Sequence, residues 1–346
     1  MKCSVVTGPV FGSHNRPDHI ECNDRITAIA EKLPGGTTIH PPVAADIEDL
    51  KKVHDPGYLS WVLQQCSLNE TGERLDLPGC SCGYFVGNTF VPGFLDPNTY
   101  LCPTSCSALT YAAGSAIAAA KRAISGENCF ALVRPPGHHA ASGWAMGYCI
   151  INNIAVAAAN ALDRARRVAI VDWDVHHGNG TQEIFYASNR VLYCSVHADN
   201  FFPHTGAMEE TGTGAGKGFT LNVPLRQQST IADYSFVFSD VVIPALDRFG
   251  PDLILVSAGQ DGLLDDPVNG MALLPEDYGT LAGTLLSCGC PFALVLEGGY
   301  GPSNPEAVKT IIETLNGKTT DHEIPAPLKK TQKIIAAVQK IHGIHP

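Results

Sequence analysis

The run Arg167-Val168-Ala169-Ile170-Val171-Asp172, followed at once by Trp173-Asp174-Val175-His176-His177-Gly178-Asn179-Gly180, decides how the chain is read. Its first part is short, apolar and rich in β-branched residues, the pattern of a strand buried on both faces. Its second part turns abruptly to acids, imidazoles and glycines, so the polar groups emerge at the carboxyl end of that strand. In open α/β sheets this edge is where ligands bind. A carboxylate and a neutral imidazole are also donors that zinc accepts. In extended backbone, residues two apart face the same side, so Asp174 and His176 can face one ion while Val175 points away.

Working outward, runs of the same kind lie at 129–134, 191–197, 219–223, 253–257 and 292–297. Stretches with apolar residues at helical spacing, 105–124, 147–162, 231–249 and 275–287, alternate with them. The alternation predicts an α/β fold with a mostly parallel central sheet covered by helices on both faces. Earlier in the chain, 23–33, 45–54 and 58–66 read as helices and 69–103 as a loop-rich stretch; 331–341 reads as a terminal helix. With no repeat and no low-complexity linker, residues 1–346 are expected to form one domain whose loops gather at the carboxyl edge of the sheet.

Composition narrows the function. The 346 residues carry a formal net charge of -11, against the basic surface that nucleic-acid binding needs. No apolar run is long enough to cross a bilayer, and the first ten residues lack the basic start and apolar stretch of a secretory signal, so a cytoplasmic protein without a membrane partner is expected. The 12 cysteines include no C-x-x-C pair. Cys129, Cys149 and Cys194 sit in apolar runs and read as small hydrophobes; the close pairs Cys80/Cys82 and Cys288/Cys290 read as structural or incidental.

Three more strand ends carry chemistry. The run at 253–257 leads into Ala258-Gly259-Gln260-Asp261-Gly262, and Asp261 would complete a set of two oxygens and one nitrogen, with a position left for water or substrate. The run at 129–134 leads into Pro135-Pro136-Gly137-His138-His139, where adjacent imidazoles can divide the base and acid tasks of amide hydrolysis. The run at 292–297 leads into Gly298-Gly299-Tyr300, whose phenol can donate to a carbonyl oxygen as it becomes an oxyanion. Singly, each cluster has an ordinary reading as a polar loop, an Asp turn, an exposed histidine pair or a capping aromatic. Four such ends on one sheet point to a single site.

In this order, and together with Gly147-Tyr148-Cys149, Asn152-Asn153, Ser195–His197 and Phe201-Phe202-Pro203, these segments resemble the arginase/deacetylase superfamily, and within it the histone deacetylase family. The resemblance spans most of the chain. It implies zinc held by Asp174, His176 and Asp261, His138 and His139 as the acid/base pair, and Tyr300 as carbonyl polariser. It implies that Asp172 orients His138 and Asn179 orients His139, with Asn at the latter position as in class II members and prokaryotic relatives. It makes Gly147, Tyr148 and Phe202 parts of a narrow substrate tunnel, and it implies structural potassium at Asp172, Asp174, His176 and Ser195, with a second site near Phe185 and Val191. Three positions depart from or bear on the family pattern: Gln260 stands where an aromatic is usual, Asn98 where relatives often carry an Asp that holds the substrate backbone, and Val268 where polyamine-selective relatives can place a Glu.

The function this implies is zinc-dependent hydrolysis, by metal-activated water, of the amide of N-acetyl or N-acyl lysine in proteins or peptides. Deacylation of acetylpolyamines or other small N-acyl amines is the alternative, favoured by the negative surface. A metal-bound recognition module would not need the complete set of proton-transfer residues. A dimanganese ureohydrolase would need further aspartates, where this chain has Asn179. The oligomeric state is left open.

Overall fold

The apolar runs form strands, and two shorter ones join them. In a computed structural model that describes residues 3–69, 83–86, 89–92, 95–96, 98–102, 104–318 and 326–344, the strands are β1 (Ser4–Val6), β2 (Thr38–His40), β3 (Gly83–Val86), β4 (Thr89–Pro92), β5 (Cys129–Ala131), β6 (Val168–Asp172), β7 (Val191–Ala198), β8 (Thr220–Leu225), β9 (Leu253–Ala258) and β10 (Phe292–Leu296). Eight of them make one sheet in the order β2-β1-β5-β10-β9-β6-β7-β8, every pair parallel. The antiparallel pair β3-β4 stands apart. The helices are α1 (Asn23–Lys32), α2 (Ile47–Leu50), α3 (Pro56–Asn69), α4 (Ser105–Ile124), α5 (Asn153–Ala161), α6 (Asn179–Phe185), α7 (Ile231–Val237), α8 (Ile243–Phe249), α9 (Pro275–Leu286), α10 (Asn304–Leu315) and α11 (Lys329–His342).

The period-2 alternation of the strands sorts their side chains between two cores. Ala169, Val171, Ile254, Val256, Leu294 and Leu296 pack on one face with α1, α7, α8, α9, α10 and α11. Val168, Ile170, Leu253, Leu255, Ala293 and Val295 pack on the other with α3, α4 and α5. The alanine faces of α4 and α5 suit this second layer: small side chains let helices lie close to each other and to the sheet. The three-layer α/β architecture expected from the sequence is therefore what forms. Among the described residues, no helix is long and apolar enough to cross a membrane.

Several boundaries differ from expectation for identifiable reasons. The helix read at 147–162 begins only at Asn153, because Gly147 (φ 56°) and Tyr148 (φ 69°) are left-handed and Asn152 caps the helix by accepting the Ala155 N–H at 3.0 Å. The helix read at 231–249 is continuous but changes pitch through a π-helical turn, Phe238–Val242, before Pro244, which lacks the N–H needed for regular pairing. It stops at Gly250 in the left-handed conformation (φ 60°). The helix read at 45–54 shrinks to α2. The strands β1 and β2, three residues each, were not anticipated, nor were β3 and β4, which fall in the stretch 69–103 read as loop-rich.

Cys66 on α3 and Cys106 on α4, given no role in the sequence reading, are joined by a disulfide. The packing of α3 on α4 brings together two cysteines 40 residues apart, which spacing along the chain does not reveal. Cys129, Cys149 and Cys194 are buried as read, Cys288 and Cys290 are half-buried thiols, and Cys80 and Cys82 lie outside the described residues.

Candidate active site

The four chemistry-bearing loops leave β5, β6, β9 and β10, and these strands are neighbours in the sheet order β5-β10-β9-β6. Their carboxyl ends converge on a cavity of about 260 Å³. Its walls include Asp96, Asn98, Gly147, Tyr148, Phe201 and Phe202, and its inner part holds His138, His139, Asp174, His176, Asp261 and Tyr300.

Strand β6 ends at Asp172, so Asp174 and His176 do not lie on extended backbone as expected. A tight turn brings them together: Asp174 Oδ1 accepts the His176 N–H at 2.9 Å and lies 3.0 Å from His176 Nδ1. Asp261 arrives from the end of β9; its Oδ1 accepts the Val175 N–H at 2.9 Å and its Oδ2 stands 3.1 Å from the same His176 Nδ1. The Oδ2 receives no well-directed hydrogen bond, which leaves a buried carboxylate oxygen facing the cavity. Glycines make this approach possible: a Cβ on Gly259 would stand 1.9 Å from Asp174 Oδ2.

Burial next to Asp174 pushes the Asp261 carboxyl well above its ordinary range, while His138 and His176 hold Asp174 well below its own despite burial. Two buried carboxylates, each with an oxygen about 3 Å from one imidazole nitrogen, match the donor set and approximate edge length of a tetrahedral zinc site with bonds of about 2.0–2.2 Å. The residues present therefore fit a divalent ion.

The histidine pair is held by two different partners. His138 Nδ1 lies 3.1 Å from Asp172 Oδ2, which also accepts from the Tyr193 hydroxyl at 3.0 Å; His139 Nδ1 lies 2.7 Å from Asn179 Oδ1. The neighbours set the rings apart electrically. Burial disfavours the His138 cation, but Asp174 and Asp172 outweigh it and raise the ring to about 10. Burial and the adjoining His138 and His176 push His139 well below the ordinary histidine value. Asp174 raises both rings and is the largest raising neighbour of His138; the Asp172 carboxylate adds to it there, whereas His139 has only the neutral Asn179.

Tyr300 lies on the Gly-Gly turn after β10, its ring 4.4 Å from the Arg25 guanidinium and edge-on to Tyr148 at 5.8 Å. Burial holds the phenol un-ionised, well above its ordinary value. The backbone of this turn is tied down by Asp266, whose Oδ2 accepts the N–H groups of Tyr300 (2.6 Å) and Gly301 (2.8 Å). Phe201 stacks on His176 at 5.3 Å, and Phe202 meets His139 edge-on at 5.3 Å.

The positions read for the two potassium sites lie along β6, the loop after it, α6 and β7. Asp172 and Ser195 are register partners on β6 and β7 and both are fully buried, with Asp174 and His176 just beyond; Phe185 closes α6 and Val191 opens β7. Gln260 does not line the cavity: it donates from Nε2 to Ala258 O at 2.7 Å. Asn98 does line it, and so does Val268.

Sequence reasoning passed over Asp96. This carboxylate is 4% exposed and accepts from the Thr99 hydroxyl, which in turn accepts the Tyr148 N–H at 2.9 Å. It thereby ties the rim to the tunnel wall. The stretch 69–103 was read as loop-rich, so the strand β4, which ends at Pro92 four residues before this acid, did not flag it. Phe201, Arg25 and Asp266 were likewise not assigned, since their roles depend on where distant loops meet.

Comparisons with known proteins point to one family. The histone deacetylase domain model matches residues 19–315. Histone deacetylase 18 of Arabidopsis thaliana is 35% identical over 368 residues, covering 98% of this chain and 51% of that protein. Histone deacetylase 15 of the same plant is 42% identical over 275 residues, covering 76% and 48%. The chain thus spans about half the length of these two relatives. A probable deacetylase of Archaeoglobus fulgidus is 33% identical over 316 residues, covering 86% and 82%. Among solved structures, the crystal structure of the HDA15 HD domain superposes with a TM-score of 0.86 at 33% identity, over 99% of this chain and 94% of that one. With this sheet, these strand ends and a match along most of its length, the chain belongs to the histone deacetylase family of the arginase/deacetylase superfamily.

Proposed function

We propose that the chain is a zinc-dependent deacetylase that hydrolyses the amide of N-acetyl or N-acyl lysine in proteins or peptides. The observation that carries this reading is the convergence of Asp174, His176 and Asp261 beside two differently held imidazoles, at the inner end of an aromatic-walled cavity. A divalent ion held by the three ligands supplies Lewis acidity toward water and the amide carbonyl.

The remaining steps belong to the chain's own side chains. His139, biased neutral, accepts the proton of the attacking water; His138, biased cationic by Asp174 and Asp172, delivers one to the leaving amine. Tyr300 keeps its proton and donates a hydrogen bond to the carbonyl oxygen as charge develops on it. Tyr148 and Phe202 flank an aliphatic stem and exclude water from the reacting carbonyl. Potassium at the carboxylate-rich ends of β6 and β7 is a structural part of the same proposal.

One observation favours a small N-acyl amine instead: Asn98 at the rim offers no charge to grip a peptide backbone, while the chain's net charge of -11 attracts polyamine cations. The test is a panel of acyl-lysine peptides and acetylated polyamines assayed with the zinc-loaded protein. The highest kcat/KM is expected on an acetyl-lysine peptide. Preference for N-acetylputrescine would transfer the reading to small amines, and inactivity across the panel would overturn deacylation altogether.

A further inference from the structure

Glu297 is the first residue of the Glu-Gly-Gly-Tyr turn, and in the hydrolysis as described it has no task. It is wholly buried. A carboxylate is costly to keep away from water unless donors surround it, and here three do. Its Oε2 accepts two consecutive backbone N–H groups, those of Gly137 (2.6 Å) and His138 (3.1 Å), and its Oε1 accepts the Ser257 hydroxyl at 3.1 Å. Paired successive N–H groups around one oxygen form the concave anion cradle seen at turns.

The consequence lies in what these donors belong to. His138 is gripped at its ring by Asp172 and at its backbone by Glu297. The two grips share a frame, because Ser257 is the register partner of Asp172 across β6 and β9 and of Val295 across β9 and β10. Strand β5 itself stops at Ala131, seven residues before His138, so the sheet alone does not hold the histidine loop. We propose that Glu297 is a positioning residue of the hydrolysis, which through the Gly137 and His138 amides sets where the His138 ring stands against Asp172 and the ligand Asp174. This rests on the deacylase reading above.

The zinc-loaded full chain and three variants test it. Glu297→Gln keeps the reach: its carbonyl oxygen can accept both amides while its NH2 donates to Ser257. Glu297→Asp keeps the charge but falls a methylene short. Glu297→Ala removes the acceptor. A displacement of the order of 1 Å at a reacting group costs about 10²-fold. The expected result is kcat within about threefold of wild type for the Gln variant and about 10²-fold lower for the Asp and Ala variants, with KM and zinc content unchanged in all.

The KM-against-kcat split and rescue by Gln separate positioning from general support of the fold. If the Ala variant does not fold, the Gln and Asp pair decides alone. Equal kcat for those two, a faster Asp variant, or a loss confined to KM or zinc content overturns the role. An inactive wild-type chain would instead sink the deacylase reading, so the two failures are distinguishable.

Discussion

Gly298→Ala is the sharpest test of where the ligands lie, because a single added methyl has a defined collision. Gly298 donates its N–H to Asp174 Oδ2 at 2.9 Å. A Cβ at this position would stand 2.2 Å from Asp261 Oδ2 and 2.7 Å from Asp174 Oδ2, whereas real Cβ atoms essentially never approach within 3.0 Å. The Asp261 oxygen must therefore retreat by about 0.8 Å, against a tolerance of about 0.2 Å in a metal–ligand bond. The bond is lost, not stretched.

Substitutions outside the ligand shell typically weaken metal binding about 10–100-fold, so displacing a ligand should cost at least ~10²-fold, or about 3 kcal/mol. Zinc affinity of the two proteins is read by competition with a chromophoric chelator, with circular dichroism to confirm folding. Gly143→Ala serves as the control, since a Cβ there meets nothing within 4 Å. A folded Gly298→Ala protein that binds zinc within about threefold of wild type would refute the ligand assignment.

Two other outcomes are expected. Tyr300→Phe should keep zinc and lose ~10²–10³-fold in kcat on the best substrate of the panel, and full activity would remove the phenol from the reaction. His54 is buried with Nδ1 3.0 Å from Ala141 O, its Nε2 accepting the Asn152 N–H, and burial pushes it from 6.5 down to about 4. The unfolded chain takes up that proton first as the medium acidifies, so this contribution is full above the unfolded value of 6.5 and falls away toward 4, by roughly 3 kcal/mol in all. Urea midpoints of wild type and His54→Gln between about pH 7.5 and 4.5 should converge as the pH drops, and a constant gap would mean that His54 is not held neutral.

What could be read from the sequence follows from how local each signal is. Asp174, His176, Asp261 and Tyr300 each stand within a few residues of an apolar strand, so strand and site were legible in one glance. Asp96 follows the short strand β4 inside a stretch read as loop, and the reading settled on Asn98, two residues away, although Asp96 is the acid that ties the rim to Tyr148. Gly147 and Tyr148 lie before an apolar stretch with helical spacing, yet their left-handed backbone keeps them out of the helix and in the tunnel wall. Periodicity cannot report a sign of φ. The Cys66–Cys106 bridge and the grip of Glu297 on Gly137 depend on contacts between segments 40 and 160 residues apart, which no local pattern encodes.

The order of strands in the sheet has a bearing on how the fold is assembled during synthesis. The first strands synthesised, β1, β2 and β5, lie on one side, and β6, β7 and β8 on the other; β9 and β10, the last of the sheet to leave the ribosome, are wedged between them. Until residues 253–296 are inserted, the two flanks have no backbone ladder in common. A nascent chain thus lacks Asp261 and Tyr300, and with them the complete candidate site, until its central wedge is in place.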